Sequence, residues 1–339
     1  MKKFLFILML FFSVAGLYAN DTYFFMSSGQ LVPTQESDIE VEMQEEIINI
    51  TLEHNYYEVT VDFFFYNLGP EVELEIGFPF FCVGIDGNGT ISDFKCWTND
   101  VETSFTDYPF EKKWANDTEL ENAFVRKITF PSKKITKTKI SYKSTYGRSA
   151  PSYLIAKYLY GTGSSWKNAI GKMTVRIQNN DLYYSPRFVR LPGSSEIKRI
   201  NDNTWEAVIT NIEPEKYTDS ITIQTGNIWG DDGPRVLRKE RYFGCRSRFT
   251  QQNLFWYTSS QLRLIRNAIF AFHGYPFKSE DLIDLFINDI FDMRWFGKND
   301  NGNSNYPLDE NFSKSKLSDI EKDNINLLLE EENKLKKMK

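Results

Sequence analysis

Two observations predict that this chain belongs to the α+β class with two domains. From about residue 37 to 226, short runs of β-branched and aromatic residues alternate with turn residues. From Leu254 onward, apolar residues recur at helical spacing instead. The sequence therefore predicts an N-terminal antiparallel β-sandwich followed by a small all-α module.

The strand prediction rests on alternation between apolar and polar residues. Residues 72–78 alternate apolar and acidic side chains, and residues 57–66 form an aromatic-rich run that ends at an Asn-Leu-Gly-Pro turn. Both runs predict strands, and the alternation over residues 72–78 predicts one buried face for that strand. Residues 152–170 break the pattern, and we expect a helical or irregular crossover there.

Three helices are expected in the C-terminal quarter. The first follows candidate caps at residues 258–260 and carries the apolar positions Leu262, Ile265, Ile269 and Phe272. A second opens at Ser279 and runs through Phe286. The third begins near Ser318, which forms a Ser-x-x-Glu capping box with Glu321.

The N-terminus has the order of a secretory signal. Lys2 and Lys3 precede an apolar run, and the small Ala19 stands before polar residues. A membrane anchor is the alternative, but the run has about 15 residues where a spanning helix needs about 20. The predicted boundaries are therefore residues 1–19 for the signal, 20–226 for the β-sandwich, 227–253 for a linker, 254–330 for the helical module and 331–339 for a charged tail.

Composition narrows the function classes. The net charge of −6 becomes −8 once the two lysines of the signal are removed, so no basic stripe for nucleic acid is expected. No later segment is long and apolar enough to span a bilayer. We expect an exported protein, periplasmic or extracellular, with no nucleic-acid partner and no membrane span after cleavage.

Cysteine and histidine usage limits the chemistry. An exported chain can form a disulfide, and Cys82 and Cys96 flank a Gly-rich turn, so a bond between them is possible; buried reduced cysteines are the alternative. With only His54 and His273 in the chain, His-based metal sites and Ser/His/Asp chemistry are disfavoured.

Two kinds of acidic motif resemble metal-binding or glycosidase sites, but each lacks residues or geometry that such a site requires. Residues 86–93 resemble the middle of a calcium loop, but Gly84 and Lys95 stand where its first and last carboxylates should be. The pairs Glu45-Glu46 and Asp231-Asp232 lack the facing geometry of a glycosidase and are expected at the surface. We expect no metal and no cofactor.

The C-terminal segment, residues 254–330, resembles the YARHG domain of exported bacterial proteins. The matching blocks are residues 262–274, Phe277-Lys278, Leu282, Phe286, Trp295-Phe296, Leu317, Glu321 and Asn324-Ile325. Phe270 and Phe272 replace the Tyr and Arg of the name. The resemblance implies export and a recognition role outside the cytoplasm, and it supplies no catalytic residue.

The N-terminal part, residues 21–226, resembles the exported domain-of-unknown-function family numbered 4424. The resemblance rests on residues 24–33, 59–61, 66–67, 77–79, 160–163, Trp166 and 170–171. This resemblance implies an exported β-rich domain with no assigned activity.

The sequence thus predicts a non-catalytic binding or envelope-associated protein whose partner is an unknown envelope component or protein. The candidate ligand-binding residues lie in the helical module: Arg266, Asn267, His273, Gly274 and Trp295. The alternative for His273-Gly274 is structural, because a left-handed Gly cap and a C-terminal His explain the pair without a ligand. The alternative function is an envelope-polymer hydrolase, acting on glycan or peptide with a carboxylate pair.

Overall fold

The structure, a computed structural model, describes part of the chain. The described residues are 25–29, 32–33, 39–83, 91–109, 113–114, 118–119, 122–149, 153–161, 163, 166–193, 195–214, 219–229, 247–288, 302 and 304–338. The predicted signal, residues 84–90 of the calcium-like loop, Asp231-Asp232 and Trp295 lie outside them.

Strands dominate the described chain up to residue 227. They are β1 Phe25–Gly29, β2 Val32–Pro33, β3 Val41–Leu52, β4 Tyr56–Asn67, β5 Val72–Val83, β6 Ile91–Thr98, β7 Val101–Thr103, β8 Thr106–Pro109, β9 Lys113–Trp114, β10 Thr118–Glu119, β11 Asn122–Phe130, β12 Ile135–Thr145, β13 Gly147–Ser149, β14 Tyr153–Leu159, β15 Ile170–Asn179, β16 Tyr184–Arg190, β17 Lys198–Arg199, β18 Thr204–Ile212 and β19 Ser220–Asn227. The predicted α+β division into a β part and a helical part is confirmed.

The strands form two large sheets and a small hairpin. Sheet A has nine strands in the order β16-β19-β14-β1-β5-β11-β8, with β13 on β14 and β2 on β5. Sheet B has eight strands in the order β17-β18-β15-β3-β4-β12-β6-β7, and β9 pairs with β10. The expectation of purely antiparallel sheets is wrong at two places, since β15 lies parallel to β3 and β1 parallel to β14.

One hydrophobic core contains side chains from both sheets. Alternate residues of β4 are fully buried, and its other residues are half-buried. Phe65 of sheet B contacts Phe130 of sheet A edge-on, with ring centroids 5.7 Å apart. The Trp166 ring lies 4.3 Å from Phe65 and joins this aromatic group. These rings are core residues rather than a ligand platform.

A β-bulge corrects the expectation that Glu45 and Glu46 both lie at the surface. The register between β3 and β4 shifts between Met43 and Glu45, so Glu46 turns inward and is fully buried. Tyr158 donates to Glu46 Oε1 at 2.7 Å. Burial and the neighbouring Glu46 raise the pKa of Tyr158 well above its ordinary value.

Strand β14 overturns the expected crossover at residues 152–170. Ala156 and Tyr158 are buried while Ile155 and Lys157 are half-buried, which is a strand alternation in a run that has no Gly or Pro. The strand pairs with β19 on one side and with β1 on the other. Neighbouring strands therefore decide its conformation.

The helical part contains α1 Gln251–Leu254, α2 Ser259–Phe272, α3 Glu280–Leu282 and α4 Asp319–Leu335, with a 3-10 turn at Lys314–Lys316. Capping boxes at Thr258 and Ser318 confirm the predicted starts of α2 and α4. The second predicted helix begins after Ser279, but it continues as a π-helix over Ile283–Ile287.

Both edges of the helical part extend beyond the sequence prediction. Helix α4 continues to Leu335, and Glu331, Glu332 and Leu335 are buried, so the first residues of the expected charged tail belong to the core. Ile228, expected in the linker, is buried in the same hydrophobic cluster as Leu262 and Phe286. Ile228 therefore packs with the helical part, while the domain boundaries stay a prediction.

Candidate functional site

Two of the predicted ligand-binding residues, Arg266 and His273, bridge helices α2 and α4. Arg266 of α2 donates to Glu332 Oε2 of α4 through Nη2 at 2.9 Å and through Nε at 3.1 Å. The Glu332 side chain is 3% exposed and also accepts from Lys336 at 2.6 Å. Two cations thus neutralise one buried carboxylate.

His273, at the end of α2, meets the start of α4. His273 Nε2 lies 3.0 Å from Glu321 Oε1, while Glu321 Oε2 accepts from the Ser318 backbone N–H at 2.8 Å. Burial alone would raise the pKa of Glu321, but the bonds from His273 and Ser318 outweigh it and leave the pKa lowered. The imidazole is therefore engaged with a buried carboxylate.

Asn267 and Gly274 also have structural contacts. Asn267 Nδ2 donates to the Arg263 carbonyl one turn earlier, at 2.8 Å. Gly274 has a φ of +72°, and a Cβ there would lie 1.9 Å from the Pro307 carbonyl oxygen. The predicted left-handed cap is thus present, and only glycine fits its contact with the 304–313 segment. Trp295 lies outside the described residues, and a ligand role for the set stays a prediction.

A polar junction joins the β part to helix α2. We define the junction as Asp181, Arg199 and Asp202 of the β part together with Tyr257, Ser259 and Gln261 of the helical part. Asp202, in the turn between β17 and β18, accepts from the Ser259 backbone N–H and from its hydroxyl, each at 2.7 Å. The turn thus supplies a carboxylate to the N-terminus of α2.

Arg199 is the cation of the junction. Its guanidinium stacks on Trp205 at 4.5 Å and donates to the carbonyls of Phe255, Tyr257 (2.9 Å) and Asp202. Burial lowers the pKa of Arg199 to about 10. Bonds to carbonyls from two segments require a planar donor fork, so lysine could not replace this arginine.

Gln261 completes the junction from the helical side. It is fully buried, and its Nε2 donates to the Asp181 carbonyl at 2.9 Å and to the Tyr184 carbonyl at 2.8 Å. The Asp181 carboxylate accepts from the Tyr183 backbone N–H at 2.7 Å and lies 3.2 Å from His54 Nδ1. The two parts are therefore held together by directional bonds as well as by apolar packing.

A depression of about 390 Å³ opens on the outer face of sheet B. We call it the outer depression; it is lined by Glu58, Asp93, Lys95, Ser141, Tyr142 and Lys143. Lys143 lies between the two carboxylates, with Nζ 2.9 Å from Asp93 and 3.7 Å from Glu58. The hydrogen bond that Lys143 donates to Asp93 and the nearby charges raise the pKa of Lys143.

Aromatic rings flank the outer depression on the same face. Lys143 Nζ lies 5.4 Å from the Tyr56 ring centroid, and Lys139 Nζ lies 5.3 Å from that of Trp97. Rings beside charged donors and acceptors suit a polar ligand that has both apolar faces and hydrogen-bonding groups. Sequence alternation places these side chains on outer positions, but only the β4–β12–β6 register brings them together.

Two negative findings concern the described residues only. No group of three or more His, Cys, Asp or Glu side chains there is arranged to hold a metal ion. None of the described helices is both long and apolar enough to cross a membrane.

Residues 245–333 match the model of the YARHG domain. The matched YARHG segment covers α1 to α3 and nearly all of α4, and it begins within the predicted linker. No curated protein sequence matches the chain. The C-terminal resemblance is therefore confirmed, while the N-terminal resemblance to family 4424 stays a prediction.

Several solved structures resemble the fold. A proposed nutrient binding protein from Legionella pneumophila is 20% identical with a TM-score of 0.51, covering 92% of this chain and 99% of its own. A zinc metallopeptidase of the M1 type from Deinococcus radiodurans is 10% identical with a TM-score of 0.31, and the match covers 55% of this chain and 42% of the peptidase. Yeast LTA4 hydrolase is 9% identical with a TM-score of 0.32, and the match covers 57% of this chain and 31% of the hydrolase. Because the match to the Legionella protein covers 92% of this chain, the fold that the two proteins share includes both the β part and the YARHG segment.

The state of Cys96 is relevant to the possible disulfide between Cys82 and Cys96. Cys96 is a free, buried thiol whose Sγ donates to the Thr103 carbonyl at 3.2 Å. This is the reduced alternative that the sequence left open. The side chain of Cys82 lies outside the described residues, so its pairing stays a prediction.

Proposed function

We propose that this chain is an exported, non-catalytic binding protein of the bacterial cell envelope, and that its ligand binds in the outer depression of sheet B. In this proposal residues 1–19 are removed as a signal and the two sheets form a sandwich. The observation that carries it is the convergence of Glu58, Asp93 and Lys143 beside the Tyr56 ring. Charges of both signs next to an aromatic face suit a polar ligand.

The junction supports a binding role for the whole molecule. Arg199, Asp202 and Gln261 hold the YARHG segment against the β part through bonds to backbone groups. These directional bonds favour a constant position of sheet B relative to α2. The fold likeness to a protein described as nutrient binding is consistent with this proposal.

A matched pair of lysine variants tests the proposal. Residues 20–339 would be titrated by calorimetry with soluble muropeptides, neutral glucan oligosaccharides and an amino-acid mixture. Lys143→Ala removes the ammonium of the outer depression, while Lys172→Ala removes an equally paired lysine, 2.7 Å from Glu45, elsewhere in sheet B. We expect one probe class to bind, with an affinity at least 10-fold weaker in Lys143→Ala and unchanged in Lys172→Ala.

Either of two outcomes contradicts the proposal. Binding of none of the three probes would remove the support for a ligand in the outer depression. Equal losses in both lysine variants would show that the depression is not where the ligand binds.

The alternative is an envelope-polymer hydrolase that uses Glu58 and Asp93. Its support is that both carboxylates reach the same depression. Both carboxylates pair with the Lys143 ammonium, which lies between them, where a hydrolase would have to hold its substrate. Release of soluble product from purified peptidoglycan, lost in Glu58→Gln, would replace the binding proposal with the hydrolase.

A further inference from the structure

Polar side chains on β6, β7, β11 and β12 occupy positions that face the space between the two sheets. We call them the Arg126 cluster: Cys96, Thr98, Thr103, Arg126, Thr136 and Thr138. Thr136 and Thr138 are fully buried and occupy the inner positions of β12, next to the buried Ile140. Thr98 lies directly opposite Thr138 in the β6–β12 register, and directly opposite residues of paired strands point to the same face.

Arg126 reaches this end of the core from sheet A. It lies on β11 and is 7% exposed. Its Nη1 donates to Thr103 Oγ1 on β7 of sheet B, at 2.7 Å. Thr103 pairs with Cys96 in the β6–β7 register. The guanidinium therefore lies between the sheets, beside the edge strand β7.

The cluster has more hydrogen-bond donors than partners. Arg126 Nη2 is buried and meets no acceptor, and the hydroxyls of Thr98, Thr136 and Thr138 are likewise buried without a partner. None of the described carboxylates forms a salt bridge with Arg126. Cys96 also neighbours Arg126, and this contact opposes the effect of burial on the Arg126 pKa without giving Nη2 an acceptor.

A buried guanidinium without a counter-charge is strongly unfavourable, and so is a buried hydroxyl without a partner. Burial lowers the pKa of Arg126, but an arginine keeps its proton in a folded protein. A small anion that is rich in acceptors would satisfy both the guanidinium and the hydroxyls. We propose that a small inorganic anion binds between the sheets, held by Arg126 Nη2 and by threonine hydroxyls of the cluster.

The strand order places this site beside a sheet edge. β7 is an edge strand of sheet B, and Val101 on it is 66% exposed. The anion site is distinct from the outer depression, since Thr138 points inward while Lys143 lies on an outer position of the same strand. A structural anion would tie β11 of sheet A to β6 and β7 of sheet B.

Thermal unfolding at constant ionic strength tests the site. Sodium gluconate, whose anion is too large for the core, would be replaced stepwise by chloride, sulfate or phosphate. At about 100 times the dissociation constant, at least one of them should raise the Tm of wild type by about 4 °C more than that of Arg126→Met. Arg176→Met, which removes an exposed arginine from the outer face of sheet B, should respond as wild type does.

Two further measurements keep the test decisive if Arg126→Met does not fold. Thr138→Val, which keeps the shape and removes one hydroxyl, should reduce the anion-dependent rise in Tm. Crystals of wild type grown in bromide should show an anomalous peak within hydrogen-bond distance of Arg126 Nη2. Water alone at that position, or equal anion responses in wild type and the variants, would overturn the proposal.

Discussion

Asp202 accepts two hydrogen bonds from Ser259, one from the backbone N–H and one from the hydroxyl, each 2.7 Å long. The carboxylate comes from a hairpin turn of sheet B, and the two donors come from the first turn of α2. Thr258 already caps this helix locally, through a bond from the Gln261 backbone N–H at 3.2 Å. The first turn of α2 is thus satisfied partly by its own sequence and partly by the β part.

Removing the Asp202 carboxylate should weaken the attachment of the YARHG segment. Asp202→Ala leaves a buried N–H without its acceptor, and we expect a loss of about 1–2 kcal/mol in the free energy of unfolding. Asp202→Asn keeps one side-chain oxygen that can accept a hydrogen bond, so its loss in the free energy of unfolding should be smaller. Urea denaturation measures both, with Glu196→Ala, an exposed residue before the same hairpin, as a control that should stay within about 0.5 kcal/mol of wild type. An unchanged midpoint in Asp202→Ala would contradict a structural role for this contact.

Gly274 should tolerate no side chain. Gly274→Ala combines a positive φ with a Cβ 1.9 Å from the Pro307 carbonyl oxygen, so we expect a loss of at least about 3 kcal/mol. Gly302→Ala is the matched control, because its φ of +78° is similar but no atom lies within 4 Å of the new Cβ. It should lose only about 1 kcal/mol, the cost of the left-handed conformation. Equal losses in the two variants would show that the contact with Pro307 is unimportant.

The local signals in the sequence were sufficient for some elements. Thr258 and Ser318 start α2 and α4 because each cap needs only a residue three positions on, which the sequence shows directly. The alternation over residues 72–78 likewise identified β5, in which Leu74, Ile76 and Phe78 are buried. The strand β14 was missed because its pairing with β1 and β19 decides its conformation, and those partners lie far away in the sequence.

The candidate sites depended even more on distant contacts. The partners of Arg266 and His273 could not be predicted, because Glu332 and Glu321 lie on another helix. Glu46 resembled a surface residue because nothing in its own strand marks the bulge. The outer depression could not be read from the sequence, since it depends on the register of β4, β12 and β6.

Cys96 should react as a buried free thiol. In the folded protein we expect no alkylation by iodoacetamide, because Cys96 is 1% exposed, and complete alkylation after unfolding in urea without any reductant. Peptide mapping by mass spectrometry identifies the modified residue. A peptide that joins Cys82 and Cys96 and disappears on reduction would show that the disulfide forms after all.

Ionisation of Glu321 should make the free energy of unfolding depend on pH in the acidic range. Its pKa is lowered in the folded state, so the stabilisation is present above its ordinary pKa of 4.5 and is lost as the pH falls through the lower, folded-state value. Glu321→Gln cannot ionise, and its deficit relative to wild type should be largest near pH 6–7 and should shrink below about pH 4.5. Urea midpoints across this range measure it. Glu330→Gln, on the exposed side of α4, should show no such trend; a deficit in Glu321→Gln that does not change with pH would contradict the assignment.

The Arg266–Glu332 pair distinguishes a structural role from a ligand-binding role for the residues predicted from the sequence. Arg266→Met leaves the buried Glu332 with only Lys336 as a cation, so we expect a loss of about 3 kcal/mol. Arg263→Met on the same helix breaks a more exposed pair with Asp281 and should cost about 1 kcal/mol at most.

A double-mutant cycle with Glu332→Leu completes this test. Because a leucine side chain at that position would need no cation, adding Arg266→Met to Glu332→Leu should cost much less than Arg266→Met alone, which gives a large coupling energy. The same variants would be titrated with whichever of the three probes wild type binds. A structural pair predicts unchanged affinity in every variant that stays folded. An Arg266→Met variant of normal stability that has lost the probe would instead assign Arg266 to the ligand, as the sequence first suggested.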